Sequence, residues 1–120
     1  MAEERSNLLI RNRNGITIVN FLDFSVLDRT QIDKIGDELL SLVENLGRKK
    51  VLVNFEGVDY LSSAVLGKLI ALHKRLAMKS GELKLSGIKA SILEVFEITK
   101  LDKVFDIYSD EESAVASFRA

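Results

Sequence analysis

Two adjacent hydroxyls, Ser62 and Ser63, stand where an apolar helical pattern begins in the stretch "YLSSAVLGKLIALHKRL", Tyr60 to Leu76. Serine before a helix is an ordinary N-cap, because its oxygen accepts from an unpaired N–H of the first turn. The same place also displays a serine for modification. The first N–H groups of a helix point outward without partners, and they favour a phosphate more than a hydroxyl. Local physics leaves both readings open for both serines.

Other reactive combinations are thin. His73 is the one histidine of the chain. It falls ten residues beyond Ser63 in the same expected helix, roughly 15 Å along the axis, too far for the direct hydrogen bond that a catalytic triad needs. Following Leu69 by four and Ile70 by three, it reads as a packed or half-buried residue of a helix face. Asp37-Glu38 and Asp110-Glu111-Glu112 are contiguous acids whose successive side chains diverge. The second run reads as the start of a helix, where negative charge is favoured. With no cysteine, disulfides, thiol catalysis and thiolate metal sites are excluded, and a single histidine excludes multi-histidine metal sites. Neither glycine-rich phosphate-loop pattern occurs. The expectation is a protein that is not an enzyme, with no metal and no cofactor.

The chain has 120 residues, 47% hydrophobic and 29% charged, with 17 basic and 18 acidic side chains. These values suit one folded domain, residues 1–120. The balanced charge argues against nucleic-acid binding, and Arg48-Lys49-Lys50 reads as a solvated connection. The polar N-terminus lacks a signal-peptide pattern and no run reaches a membrane span, so no direct membrane insertion and a cytoplasmic location are expected.

The elements that would position the serines follow from spacing. Leu8 to Arg13 and Ile16 to Leu22 flank Asn14-Gly15, a two-residue hairpin signal. Asp28 or Thr30 caps a helix whose face is Ile32, Ile35, Leu39, Val43 and Leu46, with Gly47 as its stop. Val51 to Phe55 reads as a buried central strand. A helix from about Ser63 to Ser80 follows, stopped by Gly81. Glu82 to Ser86 is a strand that Gly87 breaks. Ile92, Val95, Phe96 and Thr99 suggest a third helix. Val104 to Tyr108 reads as the last strand. Ser109 to Glu112 fits a capping box for a final helix bearing Ala114, Val115 and Phe118. The order β-β-α-β-α-β-α-β-α implies an α/β domain: a mixed, mostly parallel sheet with an N-terminal antiparallel hairpin and about four helices. The serines then lie at the C-terminal edge of a central parallel strand, where such folds carry their functional groups.

The segment "VLVNFEGVDYLSSAVLGKLIALHKRL" resembles the signature of the STAS domain family, the bacterial anti-sigma factor antagonists. "GELKLSGIKASILEVFEITKLDKVFDIYSDEESAVASF" resembles the family's second half. With the hairpin and first helix, the likeness spans nearly the whole chain. It implies a partner-switching regulator. A partner serine kinase that is also an anti-sigma factor phosphorylates a serine and loses its grip on the modified form, and a PP2C-type phosphatase reverses the step. The family's phosphorylatable serine falls on Ser63, with Ser62 as the alternative. Asp59, Tyr60, Ala64, Val65 and Lys68 complete the implied partner-binding surface with the two serines. Leu66-Gly67 matches the family pattern, but Val65 replaces its glycine, which implies either a narrower choice of what docks there or a member that is never phosphorylated. Lys68 stands one turn along, either steadying a phosphate or simply solvated. The alternative reading is a STAS scaffold module of a larger signalling or transport-associated assembly without obligatory phosphorylation. Homodimers or larger assemblies stay open.

Overall fold

The computed structural model describes residues 8–22 and 29–118, except the side chains of residues 29 and 30. Strands β1 (Leu8–Arg13) and β2 (Ile16–Phe21) form the hairpin, with Asn14 at φ 54° and Gly15 at φ 80° in its turn. Both central residues have the positive φ that lets the turn follow the twist of the strands. Helix α1 (Arg29–Glu44), β3 (Lys50–Asn54), α2 (Ser63–Met78), β4 (Glu82–Ser86), α3 (Ala90–Ile98), β5 (Asp106–Tyr108) and α4 (Glu111–Ser117) follow. The sheet order is β1-β2-β3-β4-β5, antiparallel between β1 and β2 and parallel thereafter.

Side-chain alternation divides the sheet into two unlike faces. Val19, Phe21, Val51, Val53, Phe55, Leu83 and Leu85 point to one side and form the main core with α1, α2 and α3. On the other side, Ile16, Ile18 and Leu52 meet Ala114 of α4 and Phe118 just beyond its end. Lys84 is buried on this second face. Its ammonium lies 3.2 Å from Asp106 and over the rings of Tyr108 and Phe118. Pairing and ring contacts replace the lost water, as a buried charge requires.

Several boundaries depart from the sequence expectation. Leu46 is 59% exposed, and Leu42 takes its place in the core. The reason is that α1 ends at Glu44 and the Arg48 N–H folds back on the Leu42 carbonyl, swinging Leu46 outward. Gly47 has the expected left-handed backbone, φ 65°. Of the two expected caps, Asp28 lies outside the described residues, and Thr30 is already the second helical residue of α1 and so not its N-cap. At the end of α2 the positive φ belongs to Ser80, not Gly81. Gly81 is required for space instead, because a Cβ there would stand 2.7 Å from the Lys49 carbonyl oxygen. The expected strand over Val104 to Tyr108 shortens to three residues. A 3-10 turn at Leu101–Lys103 draws the chain round, and the Phe105 N–H donates to the Leu101 carbonyl. Phe105 is thereby buried between His73 and Phe96, both edge-on at 5.6 and 6.1 Å between ring centroids. His73 is the half-buried, packed helix-face residue that its spacing suggests.

Candidate functional site: the mouth of helix α2

Between β3 and α2 the chain must leave a buried strand and restart as a helix. Gly57 makes the turn at φ 87°, with the Val58 N–H donating to the Phe55 carbonyl. Val58 then returns to the core, while Tyr60 is 51% exposed. Asp59 forms an exposed ion pair with Lys89, the residue preceding α3. Two loops at the C-terminal edge of the parallel strands are thus tied beside the helix mouth.

The two serines are not equivalent. Ser62 is the N-cap, in extended backbone, and its hydroxyl oxygen accepts the Val65 N–H at 3.3 Å. Ser63 is the first helical residue and is exposed; its hydroxyl bonds to none of the described residues. Among those residues, the N–H groups of Ser63 and Ala64 likewise have no acceptor. No acidic side chain occupies the first turn of α2. The site therefore combines a displayed hydroxyl, free amides and an uncompensated positive helix end.

Val65 departs from its expected role. It is 3% exposed and packs in the main core with Leu66, Leu69, Leu72 and Leu76. At this point of the helix its Cβ faces the sheet, so it neither narrows the mouth nor offers a docking side chain. Flatness comes instead from Gly67 and Ala71, which follow Ser63 at four-residue intervals on the exposed face. A Cβ on Gly67 would meet nothing within 4 Å. A shallow groove of about 350 Å³ runs along this face, lined by Asp33, Ala64, Gly67, Lys68 and Ala71. The Lys68 stem crosses Gly36 of α1, and its ammonium lies 3.1 Å from Asp33. It is thus paired with Asp33 and not freely solvated.

A second polar constellation lies on the opposite sheet face and escaped the sequence reading. Glu111, the first residue of α4, accepts from Arg11 at 2.6 Å, Asn54 at 3.0 Å and Arg13 at 3.1 Å. Arg11 also donates to Asn20 at 2.7 Å, and Arg13 pairs with Glu112 at 2.8 Å. Hydrogen bonds from Arg11 and Asn54 outweigh burial and hold the Glu111 carboxyl below the ordinary glutamate range. The capping residue is Asp110, not Ser109. Its carboxylate accepts the Ser113 N–H at 2.8 Å, which lowers its own pKa and frees Glu111 and Glu112 for the arginines. Arg11 and Arg13 share a strand face by their spacing. Their partners, about a hundred residues away, could be found only by folding the chain.

The STAS domain profile matches residues 7–114. Among characterised sequences, the chain is 31% identical over 94 residues to BtrV of Bordetella bronchiseptica, whose assignment as an anti-sigma factor antagonist is itself provisional. That match covers 78% of this chain and 80% of BtrV. It is also 30% identical over 76 residues to the anti-sigma-B factor antagonist of Staphylococcus aureus, covering 63% of this chain and 70% of that protein. Among solved structures, an anti-sigma-factor antagonist (STAS) domain protein from Planctomyces limnophilus superposes with a TM-score of 0.79 at 25% identity. The match covers 91% of this chain and 96% of that one. The phosphorylated form of the Bacillus cell fate determinant SpoIIAA gives 0.72 at 17% identity over 93% and 99% of the two chains, a likeness of fold.

Proposed function

Because this chain belongs to the STAS domain family, we propose that it is an anti-sigma factor antagonist that works by partner switching, with Ser63 as its phosphoacceptor. Members of the family are non-catalytic regulatory proteins, which agrees with a mouth built for display and not for chemistry of its own. The observation that carries the choice of Ser63 is the division of labour at the α2 N-terminus. Ser62 holds the helix, while Ser63 leaves its hydroxyl to solvent.

The unmodified protein docks an anti-sigma factor that is also a serine kinase. The surface for it consists of Tyr60, Asp59, Ser63 and the flat stripe along Ala64, Gly67 and Ala71, with Lys68 at its border. Phosphorylation adds close to two negative charges at the first helical position. The free amides and the helix dipole accept them without disturbing the fold. A partner surface shaped for a neutral hydroxyl beside small residues then meets bulk and charge, and lets go. A PP2C-type phosphatase restores the binding form.

The test is incubation with the cognate kinase and ATP, followed by mass spectrometry. Wild type and Ser62→Ala gain one phosphate and Ser63→Ala gains none. Phosphate persisting on Ser63→Ala would remove the assignment. Ser63→Asp is expected to keep its fold and lose the partner.

A further inference from the structure

The outer side of the first strand is unlike a protected edge. Natural sheets blunt their edges with short strands, prolines, bulges or inward charges. At the far side of this sheet, β5 is only three residues long. By contrast, β1 runs six residues in unbroken one-to-one register with β2, from Leu8 opposite Phe21 to Arg13 opposite Ile16. The chain contains no proline. Its two strand charges, Arg11 and Arg13, are turned over the α4 face and engaged by Glu111 and Glu112. They do not guard the edge.

The pairing groups of that edge follow from the hairpin. A two-residue turn closes on a hydrogen-bonded pair, here Arg13 and Ile16, so residues 13, 11 and 9 bond inward to β2. The N–H and C=O of Ile10 and Asn12 therefore point outward, and among the described residues no strand meets them. Ile10 is 43% and Leu9 45% exposed. Ile10, Leu42 and the outward-swung Leu46 line a groove of about 330 Å³ between β1 and α1, with Leu8, Glu38 and Ser41.

We propose that β1 is a self-association edge, at which a second copy of this chain adds its own β1 antiparallel about a two-fold axis through Ile10. The partner's Ile10 exchanges both backbone hydrogen bonds with Ile10, giving a continuous ten-stranded sheet. The two-fold stands perpendicular to the sheet, so both α1 helices lie on one side and the two Ile10 side chains pack between the grooves. On the other face Leu9 sits opposite the partner's Arg11 stem. The alternative axis through Asn12 would set Arg11 directly opposite the partner's Arg13, a like-charge pair that opposes that register. Such an interface is isologous and closes as a dimer. It uses elements other than the α2 mouth, so it stands independently of the role given to Ser63.

Light scattering coupled to size exclusion, over a concentration series, tests it. Wild type is expected to rise toward twice the chain mass, while Ile10→Lys and Leu46→Glu, both at exposed positions, stay at one chain mass with unchanged circular-dichroism melts. The absence of native cysteine allows a direct check of register. Hydrogen-bonded antiparallel pairs hold their Cα atoms about 5.5 Å apart, within disulfide range. Ile10→Cys therefore cross-links on mild oxidation, whereas Asn12→Cys residues lie about 13 Å apart along the strands and do not. A wild type at one chain mass throughout, an Ile10→Lys variant that associates like wild type, or Asn12→Cys cross-linking as fast as Ile10→Cys would each overturn the proposal.

Discussion

Ser62 and Ser63 are chemically alike, yet their replacement should read out in different assays. Alanine at Ser62 uncovers the Val65 N–H and should cost about 1 kcal/mol in denaturant unfolding, the usual effect of losing a cap. Alanine at Ser63 removes a hydroxyl bonded to no described residue and should change stability by less than about 0.5 kcal/mol. Val65 gives a sharper contrast. Restoring the glycine of the family pattern would delete a side chain that is 3% exposed. Lost burial and added backbone freedom together should cost about 2–4 kcal/mol, seen as a lower denaturant midpoint. At Gly67 the signs separate. Its Cβ position is open, so Gly67→Ala should stabilise the helix by about 0.5–1 kcal/mol. The same methyl rises on the proposed docking stripe and should weaken kinase binding in a titration. Tighter binding by the stabilised variant would count against that stripe.

At the scale of elements, α4 is too short to persist alone, since isolated helices of fewer than about 12 residues are marginal in water. It is held by Ala114 and Phe118 against Ile16, Ile18 and Leu52, and by Glu111 gripping β1 and β3. The Glu111 carboxyl is held below its ordinary pKa. Its contribution is therefore present above the unfolded-state value and disappears as pH falls through the folded one. Glu111→Gln should lower stability at neutral pH by about 1.5–3 kcal/mol, the range for hydrogen bonds to a charged group. The difference from wild type should shrink as the solution is acidified below the glutamate range. Melts across a pH series check this, and a difference constant with pH would show that charge is not what Glu111 supplies. The interrupted last strand belongs to the same scale. Val104 to Tyr108 has strand composition, but burying Phe105 against Phe96 and His73 required a 3-10 turn first, and no local pattern carries that demand.

Across the whole molecule, the central strands β2, β3 and β4 are covered on both faces at their middle, while β1 and β5 are edges. Among hydrogen-bonded amides of the helices and strands, exchange should therefore be slowest at Ile18, Val19, Leu52, Val53 and Leu85 and fastest in β5 and α4. Uniform protection through α4 would contradict this ranking. Much of this architecture was legible beforehand because it rests on short-range rules. Asn14-Gly15 dictates a hairpin, alternation dictates which strand side is buried, and helical spacing placed α1, α2 and α3. Even the helix start at Ser62-Ser63 was readable, since a cap and its apolar run are sequence neighbours. Other properties depend on which surfaces meet. Whether Val65 faces a partner or the core is set by the rotation of α2 on the sheet. Whether Lys68 is solvated or paired with Asp33 is set by the crossing of α1 at Gly36. Whether Glu111 only begins a helix or locks both ends of the chain is set by bringing residues 11, 54 and 111 onto one sheet face. The sequence by itself determined the order of elements and a helix start at two serines, because those follow from local periodicity and capping, while its likeness to the family pointed to Ser63. Only the tertiary structure decided the environment of that serine and the partners of the charges, because these arise between residues that chain folding, and not chain order, makes neighbours.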